Sequence, residues 1–91
     1  MNPMALIVPP PPQHPSITAF IDQTKLAISI ADTLKTIPQL DVQLNAVRYC
    51  YLEAMKHANR QQEVAIVKMM KAVMVCYIKI EAMHRLNREL S

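Results

Sequence analysis

Two residues near the carboxyl end of the chain have the spacing of a metal-binding motif. Glu81 and His84 are three residues apart, the Glu-x-x-His arrangement that supplies ligands in di-iron carboxylate proteins. Such a centre needs a second copy of the motif and two further glutamates, which a homodimer would supply with Glu53 or Glu63. Because Arg85 is adjacent, a solvated charged face is the simpler interpretation, and metal binding in a dimer is an alternative.

The two cysteines lack the arrangement of a catalytic or disulfide pair. Neither Cys50 nor Cys76 is three or four residues from a histidine, so no thiol lies one helical turn from an imidazole that could act as its base. In a hairpin that turns near residues 60–61, the two thiols would be offset by about 7.5 Å along the helix axis, more than disulfide geometry tolerates. We therefore expect structural cysteines, no enzymatic activity and no cofactor.

Basic residues near the carboxyl end form a candidate nucleic-acid surface. They are spread along the predicted outer face of the last helix, where they would contact phosphates: Lys68, Lys71, Lys79, Arg85 and Arg88. Glu81 and Glu89 interrupt this face, and base recognition would need Arg, Asn or Gln on one exposed helix. A nucleic-acid-binding regulator is therefore an alternative function, and a solvated basic face is the simpler interpretation.

The composition bounds the fold and favours a protein partner. The chain has 91 residues, 52% of them apolar, with no glycine and a net charge of +3. Absence of glycine argues against phosphate-binding loops and tight hairpin turns. A chain of this length covers only about 60–65% of its unfolded surface, so this apolar content predicts a partner. No signal peptide or membrane-spanning run is visible, and we expect a cytoplasmic protein.

Prolines mark a separate segment at the start of the chain. Six of the seven prolines lie within residues 1–15, where they favour an extended arm with few amide donors. The arm is an alternative ligand for an SH3- or WW-like groove. A third interpretation is that Leu6, Ile7 and Val8 pack against a neighbouring subunit. We divide the chain into this arm and one helical domain, residues 16–91.

Apolar residues at three- and four-residue steps predict two helices, near residues 16–36 and 39–59. The predicted stripes are Ile17, Phe20, Ile21, Thr24, Ala27, Ile28, Ala31 and Leu34 in the first helix, and Leu40, Leu44, Val47, Tyr51, Ala54, Met55 and Ala58 in the second. Ser16 is the expected N-cap of the first helix, and Pro38 suits the first turn of the second. Four polar residues, 59–62, then predict a turn with Asn59 as a left-handed cap. One long helix with a polar break is the alternative.

A third helix near residues 62–89 has the most regular apolar pattern. Its heptad a positions are Ile66, Val73, Ile80 and Asn87, and its d positions are Met69, Cys76, Met83 and Leu90. Further apolar residues lie beside this seam, so the helix is expected to be buried on several sides. Methionine side chains adapt to irregular partner surfaces.

These observations predict an all-α fold in which an N-terminal helix and a helical hairpin form a small bundle after the proline-rich arm, and they predict a homodimer. The dimer would bury the flank of the third helix and the spare face of the first. The favoured function is a non-catalytic protein–protein interaction module, such as a small regulator, inhibitor or chaperone-like adaptor. The predicted partner-binding residues are Ile66, Met70, Val73, Met74, Tyr77, Ile80 and Met83.

Overall fold

The computed structural model describes residues 13–91, and this part of the chain is helical without strands. Helix α1 is Pro15–Ile30, α2 is Ile37–Met55 and α3 is Arg60–Leu90, and a 3₁₀ turn, Ala31–Thr33, follows α1. The all-α prediction is confirmed for these residues. The predicted proline arm falls mostly on residues 1–12, outside the described residues. Within 13–91, no helix combines the length and apolarity needed to cross a membrane.

Contacts between the helices define an up-down-up order. Gln43 in α2 donates a hydrogen bond to Gln23 in α1 (3.4 Å), and the rings of Phe20 and Tyr51 lie 6.0 Å apart. Residue numbers fall along α2 as they rise along α1, so these helices are antiparallel. The hydroxyl of Tyr77 in α3 contacts Ala27 in α1. All three helices surround one core.

The apolar stripes predicted for α1 and α2 form most of that core. Its buried apolar members from these two helices and the 3₁₀ turn are Ile17, Phe20, Ala27, Ala31, Leu40, Leu44, Val47 and Ala54. One predicted member, Ile28, is instead half exposed. Thr24 is the buried polar member, and its hydroxyl donates to the carbonyl of Ile21 (2.7 Å). The prediction for these two helices is therefore largely confirmed.

Helix α1 differs from its prediction at both ends. His14, and not Ser16, is the N-cap, and its Nδ1 accepts from the Ser16 amide (3.2 Å). The imidazole also stacks on His57 from the end of α2, with ring centroids 3.7 Å apart. At the other end, α1 stops at Ile30 and not near residue 36. The chain needs an extended residue, Thr36, to cap α2 ahead of its first-turn proline.

The connection between α2 and α3 also differs from its prediction. Helix α2 ends at Met55 and α3 begins at Arg60, so the alternative of one continuous helix is wrong. Asn59 is not a left-handed cap: its φ is −78°, and its side chain accepts from the Gln62 amide. Gln62 Oε1 accepts in return from the Asn59 amide (2.9 Å). The polar residues predicted as a turn therefore form a capping box and the first turn of α3.

The buried face of α3 is displaced from the predicted heptad seam. Its buried residues are Ile66, Met70, Val73 and Tyr77, so two a positions are confirmed. The d positions Met69 and Cys76 are half-buried, and Met83 and Leu90 are exposed. Helix α3 packs against both α1 and α2, so its buried arc includes the a positions Ile66 and Val73 and the neighbouring residues Met70 and Tyr77 instead of the d positions.

Candidate protein-interaction face

The residues predicted to bind a partner have three different environments. Ile66, Met70, Val73 and Tyr77 are buried in the core of the chain itself. Met74 and Ile80 are half-buried and pack against that core. Met83 is exposed, at 63% of its full accessible surface. Of the seven predicted residues, only Met83 and parts of Met74 and Ile80 are accessible.

A different set of apolar side chains faces solvent on α3. Val75, Ile78, Ala82 and Leu86 are exposed and follow one another at steps of three or four residues. This spacing aligns them on the side of the helix opposite Val73. The three larger side chains each keep more than half of their accessible surface. Helix α3 therefore has an outward apolar stripe in addition to its buried face.

A concave surface lies between the end of α2 and the beginning of α3. Its volume is about 380 Å³, and it is lined by Met55, Glu63, Val64, Val67, Lys68 and Lys71. Val64 is more than half exposed, and Met55 and Val67 are half-buried. We call this surface the α2–α3 groove. Apolar side chains line its floor, and the ammonium groups of Lys68 and Lys71 lie at the same surface.

The charge of the chain is concentrated on the helix that carries these features. Helix α3 contains six Lys or Arg residues and three Glu residues, so its formal charge equals the +3 of the whole chain. Within residues 13–91 the ion pairs are Glu53–Lys56 and Glu81–Arg85. Lys68, Lys71 and Lys79 belong to neither pair. The two lysines of the groove, Lys68 and Lys71, therefore belong to no ion pair among residues 13–91.

The five residues predicted to contact nucleic acid are all exposed. They do not form one continuous basic face. Arg85 is paired with Glu81, and Val75 and Ile78 lie between Lys71 and Lys79 on the outward side of α3. Apolar side chains between cations make a surface that differs from a phosphate-binding stripe.

Glu53 and Lys56 form an ion pair at the end of α2. Lys56 Nζ lies 2.9 Å from Glu53 Oε1. This hydrogen bond and the opposite charge hold the pKa of Glu53 below its usual value and the pKa of Lys56 above its usual value. Both side chains are on the surface, so the pair is screened by solvent and weak.

The predicted metal ligands have other partners. Glu81 accepts a hydrogen bond from Arg85, and His84 Nε2 lies 3.2 Å from the carbonyl oxygen of Leu34. No group of three or more His, Cys, Asp or Glu side chains in residues 13–91 is arranged to hold a metal ion. Cys50 and Cys76 are free thiols, both half-buried.

The sequence did not predict the groove, because helical periodicity favours the helix face whose apolar residues are most regularly spaced. The a–d seam of α3 is the most regular apolar pattern, and a bundle core uses such a pattern as readily as an interface does. The available signal was composition: Val64, Lys68 and Lys71 combine apolar and basic side chains at helical spacing. Buried core positions do not contain unpaired lysines.

The chain matches no protein-family model, and no curated protein or solved structure is significantly similar to it.

Proposed function

We propose that this protein is a non-catalytic protein–protein interaction module, a small helical regulator or adaptor, with its docking surface on α2 and α3. The observation that carries the proposal is the α2–α3 groove with the apolar stripe of α3 beside it. Helical side chains such as Val64 and Ile78 expose more than half of their surface although residues 13–91 already pack around a core of their own. Contiguous apolar patches on small proteins mark interaction sites.

The fold supports a binding role in preference to a catalytic one. Catalysis needs a nucleophile, base or acid held against an orienting group in a water-excluded site. The α2–α3 groove is open and offers ammonium groups and one carboxylate, Glu63, beside apolar side chains. Rigid helices with an adaptable Met55 side chain at the groove suit recognition of a protein surface.

A homodimer and a cytoplasmic location remain parts of the proposal. Exposed Leu26 and Ile28 on α1 are the side chains with which the spare face of that helix would contact a second copy. The free thiols Cys50 and Cys76 favour a reducing compartment. Sedimentation velocity over a range of concentrations tests the dimer, because a monomer at every concentration would contradict it.

Photo-crosslinking in expressing cells tests the docking surface. A benzophenone side chain replaces Val64 in the groove, and the matched control replaces Thr18, which is exposed on α1. We expect a protein adduct of defined mass at position 64 and none at position 18. An adduct of twice the chain mass would identify a second copy at the groove. Absence of protein adducts at position 64 would contradict the proposal.

Nucleic-acid binding is the second candidate, favoured by the concentration of the net charge on α3. A gel-shift assay over a salt series tests it, because phosphate contacts weaken steeply as salt rises. Binding that is lost in a variant with Lys68, Lys71 and Lys79 changed to Glu would support it. A retained shift in that variant would contradict it.

A further inference from the structure

We infer that the partner of the α2–α3 groove is an acidic amphipathic helix, a segment whose apolar stripe is flanked by Glu or Asp. This inference rests on the proposed function and specifies the chemistry of the partner. The helix would lie along the groove, with apolar side chains against Met55, Val64 and Val67. Its carboxylates would meet Lys68 and Lys71.

The shape of the groove favours a helix as the bound element. The groove spans about two turns of α3, from Glu63 to Lys71, with Met55 at the end of α2 opposite, and the ridges of a third helix fit a depression between two helices. Helix-in-groove recognition uses apolar anchors at i, i+3, i+4 and i+7. Val64 and Val67 are one turn apart on α3, and Met55 faces them from α2. Apolar side chains spaced one turn apart on a bound helix would therefore contact Val64, Val67 and Met55.

The charges favour an acidic partner. Lys68 and Lys71 line the groove and belong to no ion pair among residues 13–91. One carboxylate, Glu63, also lines it, so the lining has a net positive charge. Complementary charges at an interface speed association and exclude partners of the wrong sign.

The same charges disfavour the other occupants. Two copies of α3 face to face would bring like charges together, because that helix holds the whole net charge of the chain. A flat anionic bilayer would reach the lysines but not the floor of a concave groove. Nucleic acid would leave the exposed Val64 and the half-buried Met55 and Val67 without apolar contacts.

A displayed peptide library tests the inference with the full chain. The probes are 18-residue helical peptides with leucine fixed at i, i+3, i+4 and i+7, and with Glu, Lys or Gln randomised at the flanking positions. We expect wild type to enrich Glu over Lys by about two- to fivefold per flank, as exposed ion pairs would give. The double variant Lys68→Glu, Lys71→Glu should enrich Lys instead.

Two matched variants separate charge from apolar docking. Lys25→Glu with Lys35→Glu makes the same charge change at exposed positions on α1 and in the linker before α2, and it should keep the wild-type preference for Glu. Val64→Gln should reduce enrichment of all peptides. All three side chains are exposed in the folded chain, so these variants should fold.

The outcomes distinguish the inference from the proposed function. Peptides that need Val64 but show no preference for Glu, or a preference for Lys, would overturn the inference and leave the docking surface intact. No enrichment at all would overturn the inference, and enrichment that is unchanged by Val64→Gln would overturn both the inference and the docking surface. Wild type that binds vesicles containing anionic lipid more tightly than any Glu-flanked peptide would also overturn the inference.

Discussion

The phenolic hydroxyl of Tyr77 donates a hydrogen bond to the carbonyl oxygen of Ala27, at 2.7 Å and across 50 residues of sequence. Helix α1 tightens where it ends: the amide of Ala31 donates to Ile28, three residues back, and not to Ala27. The carbonyl of Ala27 is buried there and needs another donor. Tyr77 supplies that donor from α3, and so joins the end of the first helix to the third.

Removal of this hydroxyl should destabilise the protein. Tyr77→Phe keeps the ring in the core but leaves the Ala27 carbonyl without a donor, at a cost of about 1–3 kcal/mol in the free energy of unfolding. Urea unfolding followed by circular dichroism measures the change. Tyr49→Phe, on the exposed side of α2, is the control and should change the value by less than about 0.5 kcal/mol. Equal effects would contradict this role.

Tyr77 should also make the free energy of unfolding fall in alkali. Burial, with a smaller contribution from the charge of Cys76, raises the pKa of Tyr77 above its ordinary value of 10.0. A raised folded-state pKa stabilises the protein below the unfolded-state pKa, and this contribution is lost as pH rises above about 10. The difference in unfolding free energy between wild type and Tyr77→Phe should therefore shrink between pH 9 and 11. A constant difference would contradict the burial of this hydroxyl.

Truncation in the core should destabilise the isolated chain. Ile66 is buried, so Ile66→Ala should cost about 2–5 kcal/mol and Ile66→Val about 0.5–1.5 kcal/mol. The milder variant keeps the test valid if the larger change prevents folding. Val42→Ala at an exposed site of α2 is the control. Unchanged thermal unfolding of both Ile66 variants would indicate that Ile66 belongs to an interface and not to the core.

The cap of α3 gives a test that depends on backbone conformation. Asn59 has an extended backbone and accepts from Gln62, so Asn59→Ala should cost about 0.5–2 kcal/mol, and Asn59→Gly only a few tenths. A left-handed Asn59 would instead predict that Asn59→Gly stabilises the protein, because glycine relieves positive φ. Thermal unfolding of the two variants distinguishes the conformations. Stabilisation by glycine would contradict the capping box.

Sequence predicted α1 and α2 better than α3 for a physical reason. Phe20 and Val47 lie on stripes with polar residues opposite, so helical periodicity identifies their buried side. Helix α3 is apolar around much of its circumference, so periodicity does not determine which arc its neighbours cover. The hydroxyl of Tyr77 donates a hydrogen bond to the carbonyl of Ala27, and that carbonyl needs a donor only because α1 ends just after it. Periodicity does not show where α1 ends. The helix ends depend in the same way on individual caps.

The candidate site was predictable in kind but not in position. Composition indicated apolar surface in excess of one small core and assigned it to the third helix. The described chain buries the most regular part of that surface, including Met70, and leaves Val64 and Ile78 exposed. The position of the groove depends on how α2 crosses α3, and sequence periodicity does not define that crossing.

Methionine oxidation most directly tests whether the predicted partner face is core. Met70 is 6% exposed and Met83 63% exposed, and both lie on α3. Peroxide treatment of the native chain, followed by peptide mass spectrometry, should oxidise Met83 at least tenfold faster than Met70, and unfolding in urea should make the rates equal. Equal rates in the native chain would contradict the account, because α1 and α2 would then not cover the face that contains Met70.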